Sequence, residues 1–187
     1  MKINSTENLS PNDIFKDIAK HQILALMFHD QMRDLYDFLN LPGFRAWHEH
    51  QYIAESKEFL CTKSYFMKTH NKLLDIGDTG QPKIVIPENW YKYNRFDVTS
   101  QLLRQYTEIS FNEYKVWEED TKRIYEEYSK ALFTMGYIAD SEKIQHLIRD
   151  VSQELNEIYE VMLKLRSTEY DAVYILDIQD KICKKFK

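Results

Sequence analysis

Apolar side chains recur along this chain at alternating steps of three and four residues, the period of a helix that buries one face. In the first run Ile14, Ile18, His21, Ala25, Phe28, Met32, Leu35 and Leu39 are spaced 4-3-4-3-4-3-4, the seam of a helix packed nearly parallel or antiparallel to its partners. Ser10-Pro11-Asn12-Asp13 supplies its start signals, with proline in the first turn. Gln22 and His29 flank the seam one heptad apart, and His29 reads as a hydrogen-bonded packing residue rather than a ligand.

Asn40-Leu-Pro-Gly43 breaks this helix, because proline disfavours continuation and glycine permits left-handed dihedrals. The pattern restarts at once, so helices one and two are predicted to be antiparallel neighbours. The second stripe is Phe44, Trp47, Gln51, Ala54, Glu58, Cys61 and Tyr65, in a helix running to about Leu74. Residues 75–96 hold two glycines, two prolines, the β-like run Lys83-Ile-Val-Ile86 and the aromatics Trp90, Tyr91, Tyr93 and Phe96. They form a long crossover, which makes helices two and three parallel.

Asp97 or Thr99 caps helix three, whose inward stripe is Leu103, Tyr106, Ser110, Glu113, Trp117, Ile124, Tyr128, Ala131 and Met135. Gly136 ends it, and Asp140-Ser141-Glu142 opens helix four, with Ile144, Leu147, Val151, Glu154, Ile158, Val161 and Leu165 inward. After Ser167, Ala172-Val-Tyr-Ile-Leu176 leads into a short helix to Phe186. The expected architecture is all-α, a single domain over 1–187 with a flexible arm at 1–10.

Helices two and four each carry an inward-leaning Glu-x-x-Glu, Glu55 with Glu58 and Glu154 with Glu157. Carboxylates on a core-facing stripe have two readings. Either the stripe is narrower than drawn and the acids are solvated, or they surround a cation inside a bundle. His48 and His50 look like a ligand pair but diverge by roughly 200° on a helix, so they do not share one ion.

Composition narrows the alternatives. Only four glycines and four prolines in 187 residues favour long helices. A net charge of -5 disfavours nucleic acid or anionic membrane as a partner. No stretch approaches the ~20 apolar residues of a membrane span. Two distant cysteines, Cys61 and Cys183, build neither a disulfide framework nor a thiolate zinc site, and the cytoplasm is the expected compartment. Glycine-rich phosphate loops, nucleophile elbows and Cys-x-x-Cys motifs are absent from the sequence. Thirteen tyrosines include Tyr52 and Tyr114 near the glutamates, read as packing residues before redox ones.

The order and spacing of Asn40-Leu-Pro-Gly-Phe-Arg-Ala-Trp47, Gln51 to Glu58, Val151-Ser-Gln-Glu-Leu-Asn-Glu157 and Asp171 to Ile182 resemble the ferritin family, and the non-haem bacterial ferritins in particular. The resemblance spans the whole chain, with a longer crossover. It implies a shell of subunits that oxidises ferrous iron at a di-iron centre inside each bundle and stores the product. Carried over by position, the family's helix-one glutamate falls on Gln22, its helix-two glutamate on Glu55, and the histidine partner on Glu58. The helix-three glutamate falls on Trp117, or on Glu113 in a register one turn different, and the helix-four pair on Glu154 and Glu157.

The implied metal ligands are therefore Glu55, Glu58, Glu154, Glu157, Gln22 and Glu113, with iron as the ion and ferrous oxidation slow or absent. Loss of the imidazole and of the helix-one charge is the reason, and an indole at Trp117 would fill the room of a second ion. Two functions follow. One is a ferritin-like iron-binding or iron-storage protein with an altered ferroxidase centre. The other is a ferritin-fold structural or interaction protein without metal chemistry. A homo-oligomer, a dimer or a larger shell, is expected, because Tyr36, Phe38, Tyr65 and Phe66 are read as lying on the outer face of helices one and two.

Overall fold

The local signals around Pro11 and Gly136 do start and stop helices, and five helices result among the described residues. A computed structural model describes residues 9–80 and 94–186. They comprise α1 (Pro11–Phe38), α2 (Pro42–His70), α3 (Ser100–Thr134), α4 (Ile138–Ser167) and α5 (Ala172–Lys185), with a 3-10 turn at Arg95–Asp97 and no strand among the described residues. The run Lys83 to Ile86 and Trp90, Tyr91 and Tyr93 lie outside the described residues, as do residues 1–8 of the expected arm.

Ser10 and Asp13 form a reciprocal capping box at the start of α1, with Pro11 in its first turn. Its other end closes differently from the sequence expectation. The left-handed residue is Asn40, φ 57°. The Leu41 N–H donates to the Tyr36 carbonyl and Asn40 N–H to that of Asp37, a Schellman closure. Pro42 then opens α2, and Gly43 is helical. Glycine is needed there for proximity, since a Cβ would stand 1.8 Å from the Gln179 carbonyl oxygen of α5. Thr99 caps α3, accepting from Leu102 N–H at 3.2 Å. Gly136, φ 85°, ends it in the same closure, with Tyr137 N–H on the Leu132 carbonyl.

Paired side chains give the helix directions. Tyr36 meets Ser110, His21 meets Thr121 and Tyr128 meets Asp17, so α1 and α3 are antiparallel. Trp47 with Phe111 and His48 with Tyr114 rise together, so α2 and α3 are parallel, as one long crossover requires. The fifth helix docks mainly on α2. Gly43 N–H donates to Gln179 Oε1 at 2.8 Å, and Phe186 stacks on Trp47 at 6.1 Å.

All eight seam positions of helix one are buried. Helix two departs from its predicted stripe beyond Gln51, where Thr62 and Phe66 are buried and Cys61 is exposed. It also ends at His70, with left-handed Asn71, rather than near Leu74. In helix three the step after Ser110 is four residues, not three, so Tyr114, Glu118, Thr121 and Tyr125 line the interior while Glu113 and Trp117 flank it. Helix four begins at Ile138, and Asp140 points inward instead of capping. It accepts from Tyr65 at 3.0 Å and faces His70 at 3.0 Å, tying the end of α2 to the start of α4. Tyr36 and Phe66 are fully buried and Tyr65 and Phe38 half-buried, so the aromatic argument for an outer interface does not hold. The exposed apolar residues of α1 and α2 are Met27, Tyr52, Ile53, Leu60 and Met67.

Candidate metal centre

Two apolar cores fill the bundle. Phe28, Met32, Leu35, Phe44, Trp47, Phe111, Ile158 and Leu165 belong to the one nearer α5; Ile14, Phe15, Ile18, Phe66, Ile124, Leu132, Ile144 and Leu155 belong to the other. The helices place a belt of polar side chains between them. Gln22 comes from α1, Gln51, Glu55 and Glu58 from α2, Tyr114 and Glu118 from α3, and Glu154 from α4. Gln22 and Gln51 are buried, and Glu118 is 1% exposed. Glu55, Glu58 and Glu154 are half-buried.

The four carboxyls interact. Burial raises all four pKa values, because the charged form loses hydration, and like charge raises them further. Glu55 is pushed well above the carboxylate range by burial, then by Glu58 and Glu154. For Glu118 burial is followed by Glu154, Glu55 and Glu58. Glu154 rises to about 8, by burial first and then by Glu58, Glu157 and Asp150. Glu58 rises to about 7 through burial and Asp150, opposed by Lys143. Without a cation, the belt therefore holds protons at neutral pH.

Several atoms in it lack a well-formed hydrogen bond among the described residues. Glu55 Oε2, Glu118 Oε1, both amide atoms of Gln22 and the Tyr114 hydroxyl are buried without a well-formed hydrogen bond. Gln22 nevertheless lies near enough to Glu58 to favour its charged form. A cation beside the carboxyls would replace the protons they hold. The donor chemistry, mostly carboxylate and amide oxygen, suits a hard or borderline divalent ion. The spacing is not closed, since among the described residues no three His, Cys, Asp or Glu side chains are gathered tightly enough to hold one ion.

Of the residues singled out in the sequence, Gln22, Glu55, Glu58 and Glu154 are brought together. Glu157 contributes to the field at Glu154 but is paired with Lys185 of α5 at 2.9 Å. Glu113 is half-buried at the flank of α3. Trp117 does not fill the belt; it is stacked against His21 at 4.9 Å and Phe28 at 5.0 Å on the α1 side. The member contributed by α3 is Glu118, which the predicted stripe missed. Its signal was present in the spacing Tyr114, Glu118, Thr121, Tyr125, a second seam one residue away from the one chosen.

His48 is buried and His50 exposed, as their angular separation requires. His29 is fully buried, with Nδ1 3.0 Å from Nδ1 of His48 and Nε2 4.0 Å from Glu118 Oε1. Burial holds His29 down to about 3 and His48 well below the usual range, so both rings are neutral. The 4.0 Å approach to Glu118 is therefore not an ion pair.

No protein-family model matches the sequence, and no curated protein is similar to it in sequence. Solved structures do match. An open-pore ferritin from the hyperthermophilic archaeon Archaeoglobus fulgidus superposes with a TM-score of 0.75 at 14% identity, over 95% of this chain and 98% of that one. The ferritin of M. penetrans gives 0.73 at 14%, over 97% and 99%. A humanized archaeal ferritin gives 0.75 at 13%, over 94% and 98%. At such identities the likeness speaks for backbone and topology, and with the helix directions above it establishes that this chain has the ferritin fold: a four-helix bundle with a long crossover and a short fifth helix.

Proposed function

We propose that this chain is a ferritin-like iron-binding protein whose metal centre differs from a full di-iron ferroxidase site. The observation that carries the reading is the belt of Glu55, Glu58, Glu118 and Glu154. Four carboxyls from three helices meet between two apolar cores, with buried oxygens that have no partner. Such a cluster is costly unless protonated or bound to a cation. Iron is the cargo or substrate here, and the carboxylates and Gln22 are the residues that would hold it. Ferrous oxidation is expected to be slow, because α1 contributes a neutral amide at Gln22 and Glu58 stands where an imidazole is expected from the resemblance. We further take the chain as one domain that works in the cytoplasm as a homo-oligomer. Met27, Tyr52, Ile53, Leu60 and Met67 on α1 and α2 are the surface such assembly would cover.

Ferrous iron added anaerobically to the metal-free protein tests this. Binding by the natural chain and its loss in the double variant Glu55→Gln, Glu154→Gln, with the helical content retained, support the reading. Rapid oxidation of two irons per chain would sink the altered-centre part of it. A second reading, a ferritin-fold structural or interaction protein, is favoured by one observation: among the described residues no three potential ligands are gathered on one point. Absence of iron binding at micromolar ferrous ion would decide for it, and a monomeric mass in light scattering would count against assembly in either case.

A further inference from the structure

Away from the belt, α1 and α3 do not close fully against one another. A cavity of about 620 Å3 lies between them, bordered on a third side by Asp78, Thr79 and Gly80 of the chain that leaves α2. Its place follows from the helical period. On α1, Asp17, Lys20, His21 and Leu24 share one face, and on the antiparallel α3, Val116, Trp117, Asp120 and Ile124 share another.

The wall of the cavity is apolar and held in place. Leu24, Val116, Trp117 and Ile124 supply it, and the Trp117 ring is stacked on His21 at 4.9 Å and on Phe28 at 5.0 Å. Ile124 is 2% exposed and Val116 43%, so the cavity runs from the core to solvent.

The rim is acidic. Asp17, Asp78 and Asp120 stand on it with the ammonium of Lys20. Asp17 accepts from the Tyr128 hydroxyl at 3.1 Å and Asp78 from the Gly80 N–H at 3.0 Å, neutral donors that leave both charges in place. Asp120 shares its charge with Arg123 at 3.0 Å. His21 adds no positive charge, since burial holds its imidazole down to about 4. Thr121 donates its hydroxyl to the Trp117 carbonyl at 2.8 Å, so His21 is the donor to that hydroxyl, from Nε2 at 2.7 Å.

We propose that this cavity binds a small organic cation, an amine with an aromatic or aliphatic body, which lies on Leu24, Trp117 and Ile124 and turns its charge toward Asp17 and Asp78. The volume is within the ~300–1,000 Å3 of small-molecule sites. A bare metal ion does not fit, because among the described residues no three His, Cys, Asp or Glu side chains are gathered around one point. An apolar wall by itself takes any hydrophobe, and an acidic rim by itself any cation. Their conjunction sets the class, since the rim repels an anion of the same shape and a neutral body of that shape gains only the wall. The inference is independent of the iron-binding reading, as none of these residues belongs to the belt.

Three acridines of nearly one shape test it on the full chain: 9-aminoacridine, a cation at neutral pH, acridine, which is neutral, and the anion acridine-9-carboxylate. Fluorescence titration is expected to show saturable binding of 9-aminoacridine, at least ~10-fold tighter than of either comparator and weakened by salt. Asp17→Asn and Asp78→Asn are each expected to weaken it ~3–5-fold, the size of one exposed charge contact. Val116→Trp, which changes an exposed side chain, is expected to fill the mouth and abolish binding, with far-UV circular dichroism unchanged. The variant Glu55→Gln, Glu154→Gln is expected to bind the dye as the natural chain does. Should a variant fail to fold, the comparison of the three dyes on the natural chain still decides. Equal affinity for all three would overturn the proposed class. No saturable binding at millimolar 9-aminoacridine, or binding unchanged in Val116→Trp, would overturn the site, and neither outcome bears on iron.

Discussion

The two apolar cores and the belt between them obey opposite rules. In the cores, Phe15, Phe66, Phe44 and Leu165 are buried against one another and every removed Å2 favours the fold. In the belt, Glu118, Gln22 and His29 are equally buried, but each brings a polar atom without a well-formed hydrogen bond among the described residues. The difference teaches where stability and chemistry reside. The ends of the bundle can carry a mid-section that is unfavourable by itself.

The comparison can be broken at its strong side first. Phe15→Ala, which removes a ring between Tyr65 and Phe66, and Phe44→Ala, in the other core, are each expected to lower stability by ~3–5 kcal/mol in denaturant titration, with metal stoichiometry unchanged. An effect on metal binding comparable to that of the glutamate variants would show that cores and belt are not separable. Next in size is Gly43→Ala. Its methyl would collide with the Gln179 carbonyl, so a loss of ~1–3 kcal/mol and early proteolysis of the tail after Ser167 are expected, with α1 to α4 intact.

Acidity sharpens the contrast. A carboxyl whose pKa is raised in the folded state contributes stability below its ordinary value of 4.5, and that contribution is lost as pH rises through about 7 for Glu58 and about 8 for Glu154. Histidines depressed by burial act the other way. Theirs is present above 6.5 and lost as pH falls towards about 4 for His21 and about 3 for His29. Between pH 6.5 and 8 only the carboxyls act, so the metal-free protein should lose thermal stability across that window. Glu118→Gln should gain ~1 kcal/mol or more over the natural chain at pH 8, or ~2–4 °C in Tm, and much less at pH 5. A flat profile would mean the belt is solvated. The smallest effect is expected at the flank, where Glu113→Gln should change stability by less than ~0.5 kcal/mol and metal binding not at all.

Much of this was legible beforehand, and the misses share a cause. The seam of helix one was read correctly at all eight positions because every residue in it except His21 is apolar and the spacing is unambiguous. Helix three is ambiguous in the middle, where Ser110 is followed by both Glu113 and Tyr114 and the next turn by both Trp117 and Glu118. There steps of three and four fit equally well, and only the neighbours choose. Helix two likewise shifted from Cys61 to Thr62 beyond Gln51, where polar residues blur the stripe. At Gly43 the sequence suggests a turn, whereas the fold needs glycine there for its close approach to α5.

Helix number, the starts of α1 and α3 at Ser10 and Thr99, and the parallel course of α2 and α3 are local consequences of periodicity, capping residues and loop length, so the sequence by itself determined them. The presence of an acidic pair on each of two helices was also its own statement. Which acid α3 contributes, and that His29 leans on His48 and faces Glu118, were decided only by tertiary structure. A helix presents neighbouring positions 100° apart, and which of two adjacent residues turns inward depends on how the other helices roll against it, a relation no single stretch of sequence contains.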